Sequence, residues 1–184
     1  MSYTRNFGIR SFENIVRNGR FRAPATGTPL VIGSPVVINA ASPGFLKQAA
    51  DGQAPANGGV VVFEHIQSFS GPLVEHMDAP FTDVPLGQYA QIVHGAGVKV
   101  WIKKTSDKTL YDGRTQTGYD PFDATVNLGS LAIGAQLVPA ASGKWRVADA
   151  GDMNGTPPVL PEAGWLTVEQ INATAGLVEA RFNF

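Results

Sequence analysis

The stretch Pro29-Leu-Val-Ile-Gly-Ser-Pro-Val-Val-Ile-Asn39 limits what this chain can fold into more than any other. Two apolar runs, Leu30–Ile32 and Val36–Ile38, flank Gly33-Ser34-Pro35. Branched aliphatic side chains suit a pleated surface, and Gly-Ser-Pro can continue neither a helix nor a regular ladder. The chain is therefore expected to arrive as a strand, break at Gly33 and leave as a second strand. Ile32-Gly33, Leu86-Gly87 and Ile133-Gly134 each place an apolar residue and a glycine before a strand-like run. At each, glycine permits the dihedral that bends the chain sharply onto a new strand. The spacings of 54 and 47 residues are too irregular for a solenoid.

The other segments agree. Gly59–Ile66 is apolar on both faces for most of its length, as a central strand should be. Tyr89–Val93 and Val98–Lys103 form further strands around His94-Gly-Ala-Gly97. In the second, Val98, Val100 and Ile102 alternate with Lys99, Trp101 and Lys103, the period of a half-buried strand. Leu131–Pro139 and Lys144–Ala148 flank the turn Ala141-Ser-Gly143, and Leu177–Phe184 closes the chain with an alternation that demands pairing. Thr167–Gln170 fits either a capping box opening a helical turn or part of a strand. Ile15–Arg17 and Arg20–Arg22 around Asn18-Gly19 read as a hairpin, with a helix from Phe12 to Asn18 as the competing reading. Residues 39–59, 67–85, 105–129 and 149–164 read as loops, with Phe45-Leu46 pinned to the core. The expected fold is mostly β: a compact barrel or sandwich with long loops, residues 15–184 forming one domain behind an extended arm of residues 1–14.

Charge sets that arm apart. The net charge of −1 hides five arginines against Glu13 in the first 22 residues (+4) and 9 basic against 14 acidic side chains in the rest (−5). A basic segment ahead of an acidic body points to docking on another acidic surface. Its aromatic residues are wasted unless something covers them. Tyr3, Arg5, Phe7, Arg10, Phe12 and Arg17 are the candidate partner-binding residues. Nucleic acid is the weaker candidate partner, because no basic body accompanies the arginines.

Chemistry is sparse by comparison. The chain has no cysteine, which removes disulfides and thiolate ligands. No apolar run approaches the roughly 20 residues that span a bilayer, and no secretory leader is expected from the opening residues. His65 follows Glu64 in a strand, so the two point to opposite faces. Glu75, His76, Asp78 and Asp83 offer oxygen and nitrogen without a recognised ligand spacing. Gly95-Ala-Gly97 precedes a strand and lacks Gly-Lys-Ser/Thr, so it is not a phosphate loop. Ser142-Gly143 is not a nucleophile elbow. No catalytic residue, metal or cofactor is expected.

Val16–Gly27 followed by Leu30–Asn39 resembles the opening of small capsid decoration (cement) proteins of tailed bacteriophages. Gly134–Val138, Ser142-Gly-Lys-Trp-Arg146 and the closing Leu177–Asn183 fit the same pattern. Ser34 stands where that family usually has Asp, and the loops at 67–85 and 105–129 are longer than in its compact members. The resemblance implies a non-enzymatic virion protein, made in the host cytoplasm, that binds the major capsid protein on the outside of the assembled head, often as a homotrimer. It implies no membrane partner, and no nucleic acid is expected. The alternative is a tail, fibre or cell-surface β module whose Trp101, Tyr111, Tyr119 and Trp165 stack on carbohydrate.

Overall fold

A computed structural model of the chain describes residues 7–9, 16–17, 21–55, 58–64, 83–84, 86–93, 95–109, 113, 115–149, 152 and 164–184. Gly33 takes φ +90°, and the chain turns there between β3 (Leu30–Val31) and β4 (Pro35–Ile38). Ser34 closes the turn: its buried hydroxyl donates to the Val31 carbonyl at 2.6 Å. The strands then part company. β3 pairs with β7 (Asp83–Val84), whereas β4 lies between β5 (Leu46–Gln48) and β6 (Gly58–Glu64). The same device recurs as the sequence implies. Gly87 at φ +73° precedes β8 (Ala90–Val93), and Gly134 at φ +87° precedes β12 (Gln136–Ala140).

Two antiparallel sheets result. The larger runs β1 (Phe7–Ile9), β9 (Lys99–Lys103), β15 (Leu177–Phe182), β14 (Leu166–Asn172), β12, β13 (Lys144–Val147). The smaller runs β2 (Val16–Arg17), β8, β6, β4, β5. A two-stranded ribbon of β10 (Lys108–Thr109) and β11 (Thr115–Gln116) stands apart. Neither sheet closes into a barrel, and one buried cluster draws side chains from both, so the arrangement is a sandwich. Val36, Val37, Leu46 and Ile92 come from one sheet; Val100, Ile102, Leu137, Leu166 and Phe182 come from the other.

Aromatic residues lock the sheets together. The Trp145 indole N–H, fully buried on β13, donates to the Gly33 carbonyl at 2.8 Å. Trp165 meets Trp145 edge-on at 6.1 Å and Phe184 at 5.5 Å, and its own indole N–H donates to the Gln53 carbonyl at 2.8 Å. A Cβ placed on Gly58 of β6 would come within 2.5 Å of the Trp165 ring, so only glycine lets that strand and ring approach so closely.

The differences from expectation have physical reasons. Val16 and Arg17 pair with Val93 and Ile92, and Arg22 pairs antiparallel with Tyr89, so both flanks of Asn18-Gly19 run in one direction and do not form a hairpin. Pairing with a core strand outweighs local turn preference. The 39–59 loop contains β5, because Leu46 is fully buried opposite Ile38. The 105–129 segment is not simply exposed. Phe122 is buried and bridges Trp145, and a Cβ on Gly118 would meet the Thr105 carbonyl oxygen at 2.4 Å. Thr167–Gln170 is strand, since Leu166 and Val168 point inward and both neighbours supply ladders.

Replacing Trp145 with Phe strands the buried Gly33 carbonyl and is expected to lower unfolding free energy by roughly 1–3 kcal/mol. The half-exposed Trp101→Phe should stay within about 0.5 kcal/mol of wild type. Urea titrations followed by circular dichroism compare the two.

Candidate partner-binding border

β1 and β2 both come from the leading segment, and each is the outermost strand of its sheet. β1 pairs with β9, Phe7 opposite Ile102, Gly8 opposite Trp101 and Ile9 opposite Val100. β2 pairs with β8, Val16 opposite Val93 and Arg17 opposite Ile92. Seven positions separate Ile9 from Val16, and seven separate Val93 from Val100. The two described pairings, β1 with β9 and β2 with β8, therefore share one antiparallel register. Among the described residues no strand pairs with the far side of β1 or β2. Each carries a row of backbone donors and acceptors able to receive another strand.

The opposite border of each of these two sheets is bridged by irregular chain. Trp145 of β13 donates its amide to the Pro121 carbonyl and accepts from the Asp123 amide, both at 2.8 Å. At the other border, Arg22 donates to the Gly44 carbonyl and accepts from the Leu46 amide beside β5. The Arg22 guanidinium also lies 4.5 Å from the Tyr89 ring centre and donates to its hydroxyl at 2.8 Å.

Of the six residues picked out by sequence, Phe7 stands in β1 and Arg17 in β2, while Tyr3, Arg5, Arg10 and Phe12 lie outside the described residues. Within the extended arm expected over residues 1–14, Phe7–Ile9 pairs with the chain's own β9. Sequence reasoning missed the receiving side, β8 and β9. The alternation of Val98–Lys103 marks a half-buried strand but does not say which strands flank it.

The larger sheet's solvent face carries a designed charge pattern. Lys99 and Arg181 sit opposite each other on β9 and β15, a repulsive pairing. A register shift in β14 between Val168 and Gln170 falls at Glu169, whose carboxylate meets Lys99 at 2.7 Å and Arg181 at 3.1 Å. All three are partly exposed, so the triad cancels repulsion more than it stabilises.

The other candidates lie partly outside the described residues. Among the described residues no group of three or more His, Asp or Glu side chains could hold a metal, and His65, His76 and His94 lie outside them. So do Glu75, His76 and Asp78, while Asp83 belongs to β7. The Gly97 amide, which a phosphate loop would aim at an anion, donates instead to the Phe182 carbonyl at 2.9 Å. The proposed stacking face loses Trp165, which is fully buried. Tyr119 is largely enclosed: burial, with Asp120 adding to it, pushes its hydroxyl up to about 12. Tyr111 lies outside the described residues.

Asp152 is the one buried charged residue among those described. Arg146 grips it with two bonds of 2.6 and 2.7 Å, and a third from Nε reaches Asp51 at 2.6 Å. Those bonds hold the Asp152 carboxyl below the ordinary carboxylate range and keep Arg146 firmly charged. Gly52 backs the cluster, since a Cβ there would lie 2.7 Å from an Asp152 oxygen. Its partners are all supplied from within the chain, and it fastens two loops.

No protein-family model matches the chain, and a search of curated proteins returns no match.

Because the native carboxyl of Asp152 titrates below its unfolded value of about 4, its stabilisation is present above that pH and lost as pH falls through the native value. Asp152→Asn should cost roughly 3 kcal/mol at neutral pH by leaving Arg146 short of a partner. It should also flatten the acid limb of the stability profile, which thermal melts between pH 7 and 2.5 would show.

Proposed function

We propose that the chain is a structural virion protein that binds the outer surface of an assembled phage capsid, contacts its major capsid protein and stabilises the shell. The observation that carries this reading is the leading segment, arginine-rich and aromatic, which supplies β1 and β2, a border strand of each sheet with no strand on its far side among the described residues. An extended segment of a partner can add to such a border through main-chain bonds, with side chains giving selectivity. The excess of arginine there favours an acidic partner surface.

The segments behind the family resemblance also cohere in space. Gly33-Ser34 meets Gly143 and Trp145: the indole bond joins Gly33 to Trp145, and a Cβ on Gly143 would lie 3.2 Å from the Ser34 Cβ. Ser34 substitutes for the usual Asp by turning its hydroxyl back onto Val31. A protein that binds only the assembled shell stabilises it by mass action, with no catalytic step. The reading places the protein on the virion surface after synthesis in the host cytoplasm, as a homotrimer, with neither membrane nor nucleic acid as partner. No described helix is long and apolar enough to cross a membrane.

Purified protein mixed with emptied, expanded heads should co-sediment with them and raise their disruption temperature. Replacing Arg5, Arg10 and Arg17 together with Gln should weaken binding at least tenfold without changing the melting of the free protein, and added salt should weaken the wild type in the same direction. Absence of binding, together with retention on an immobilised glycan column, would replace this reading with that of a carbohydrate-binding module.

A further inference from the structure

Residues 124–143 carry no charged side chain, and every residue from 124 to 135 is exposed or half-buried. Val126, Leu128 and Leu131 lean on the core with only part of their surface. Ile133 stands out at 73% exposed, the most exposed bulky apolar residue among those described. Single apolar residues scattered over a surface are ordinary, whereas a continuous apolar surface marks a place of contact. A longer charge-free run, residues 23–46, does the opposite: its Leu30, Ile32, Val36, Val37 and Leu46 are buried.

The exposed run is also preformed. The Val126 amide donates to the Asp123 carbonyl at 2.9 Å, and the Ser130 amide to the Asn127 carbonyl at 3.0 Å. The Asn127 side chain accepts from the Gly129 amide at 2.9 Å. The Gly134 amide donates to the Val168 carbonyl at 2.8 Å and the Val168 amide to the Ala135 carbonyl at 2.9 Å, tying the tip to β14. A surface that is already ordered loses little freedom when a partner covers it.

We propose that residues 124–135, with Ile133 at their tip, form the face through which copies of this chain meet around a rotation axis. Close to such an axis each residue faces its own counterpart in the next copy. A charged side chain there meets its like, and juxtaposed like charges disfavour the joint. An aliphatic surface without charge meets itself freely, and interfaces between identical chains are the more apolar kind. That self-match favours a second copy over other occupants. The run has no aromatic ring on which a sugar could stack. It has no Lys, Arg, Trp or Tyr to hold it at a lipid surface. The inference rests on the homotrimer reading above, whose contact face it names, and does not depend on capsid binding.

Sedimentation equilibrium of the free, full-length protein should show an oligomer. Ile133→Asp should raise its dissociation constant at least tenfold and leave the circular dichroism spectrum unchanged. An oligomer that survives Ile133→Asp intact overturns this inference alone. A wild-type protein that is monomeric at its highest soluble concentration overturns it together with the homotrimer reading. A monomer whose binding to emptied heads falls with Ile133→Asp assigns the face to the shell, and so overturns it too. The chain has no cysteine, which allows a second test that puts no charge into the loop. Ile133→Cys, oxidised in the native state, should link copies at least tenfold more than Ser42→Cys in the exposed turn between β4 and β5. Equal linkage from the two positions would count against the proposal as decisively.

Discussion

Every strand at the border of an open sheet leaves backbone donors and acceptors without a ladder, and this constraint organises the molecule. A buried or half-buried polar backbone group without a partner costs on the order of a full hydrogen bond. At β13 the answer is the Pro121–Asp123 segment. Beside β5 it is Arg22, which bonds to Gly44–Leu46 and so brings the chain that leaves β2 across to the opposite border of the same sheet. At β9 it is β1 and at β8 it is β2, both from the leading segment and in the same register. Among the described residues no strand pairs with the far side of β1 or β2, and the proposed partner reading builds on that border.

The interior is organised by two tryptophans with polar tips. Trp145 and Trp165 fill the space between the sheets, and each sends its indole N–H to a carbonyl of a turn or loop. The core thus fixes loop positions as well as sheet spacing. A polar knot reinforces the far end, where Asn183 donates to the Gln136 side chain at 2.8 Å and to the Gly164 carbonyl at 2.7 Å. The final strand, flanked by β9 and β14, cannot fray because its last residues are built into this knot and into the aromatic stack with Phe184.

The strands were legible where their pattern was local. Gly33, Gly87 and Gly134 announced three sharp bends, and all three adopt positive φ. The alternation of Val98–Lys103 and of Leu177–Phe182 placed buried residues correctly. What was not legible depended on distant partners. Asn18-Gly19 carries strong turn chemistry, yet Val16-Arg17 and Arg22 pair antiparallel with the same segment, Tyr89–Val93, whose place next to the core no local pattern announces. Phe122 looked like a loop residue, and its burial is decided by the edge of β13, 23 positions away. The candidate site was half readable. Composition singled out the leading segment, but no feature of that segment named β8–β9 as its seat.

If the border formed by the leading segment is where a partner docks, its amides should report it. Hydrogen exchange on the full-length protein, free and bound to emptied heads, compares peptides covering residues 5–17 with those covering residues 144–147. The account predicts that residues 5–17 gain protection on shell binding while the covered β13 border is unchanged. Gain confined to other surfaces, with the leading segment exchanging alike in both states, would contradict it.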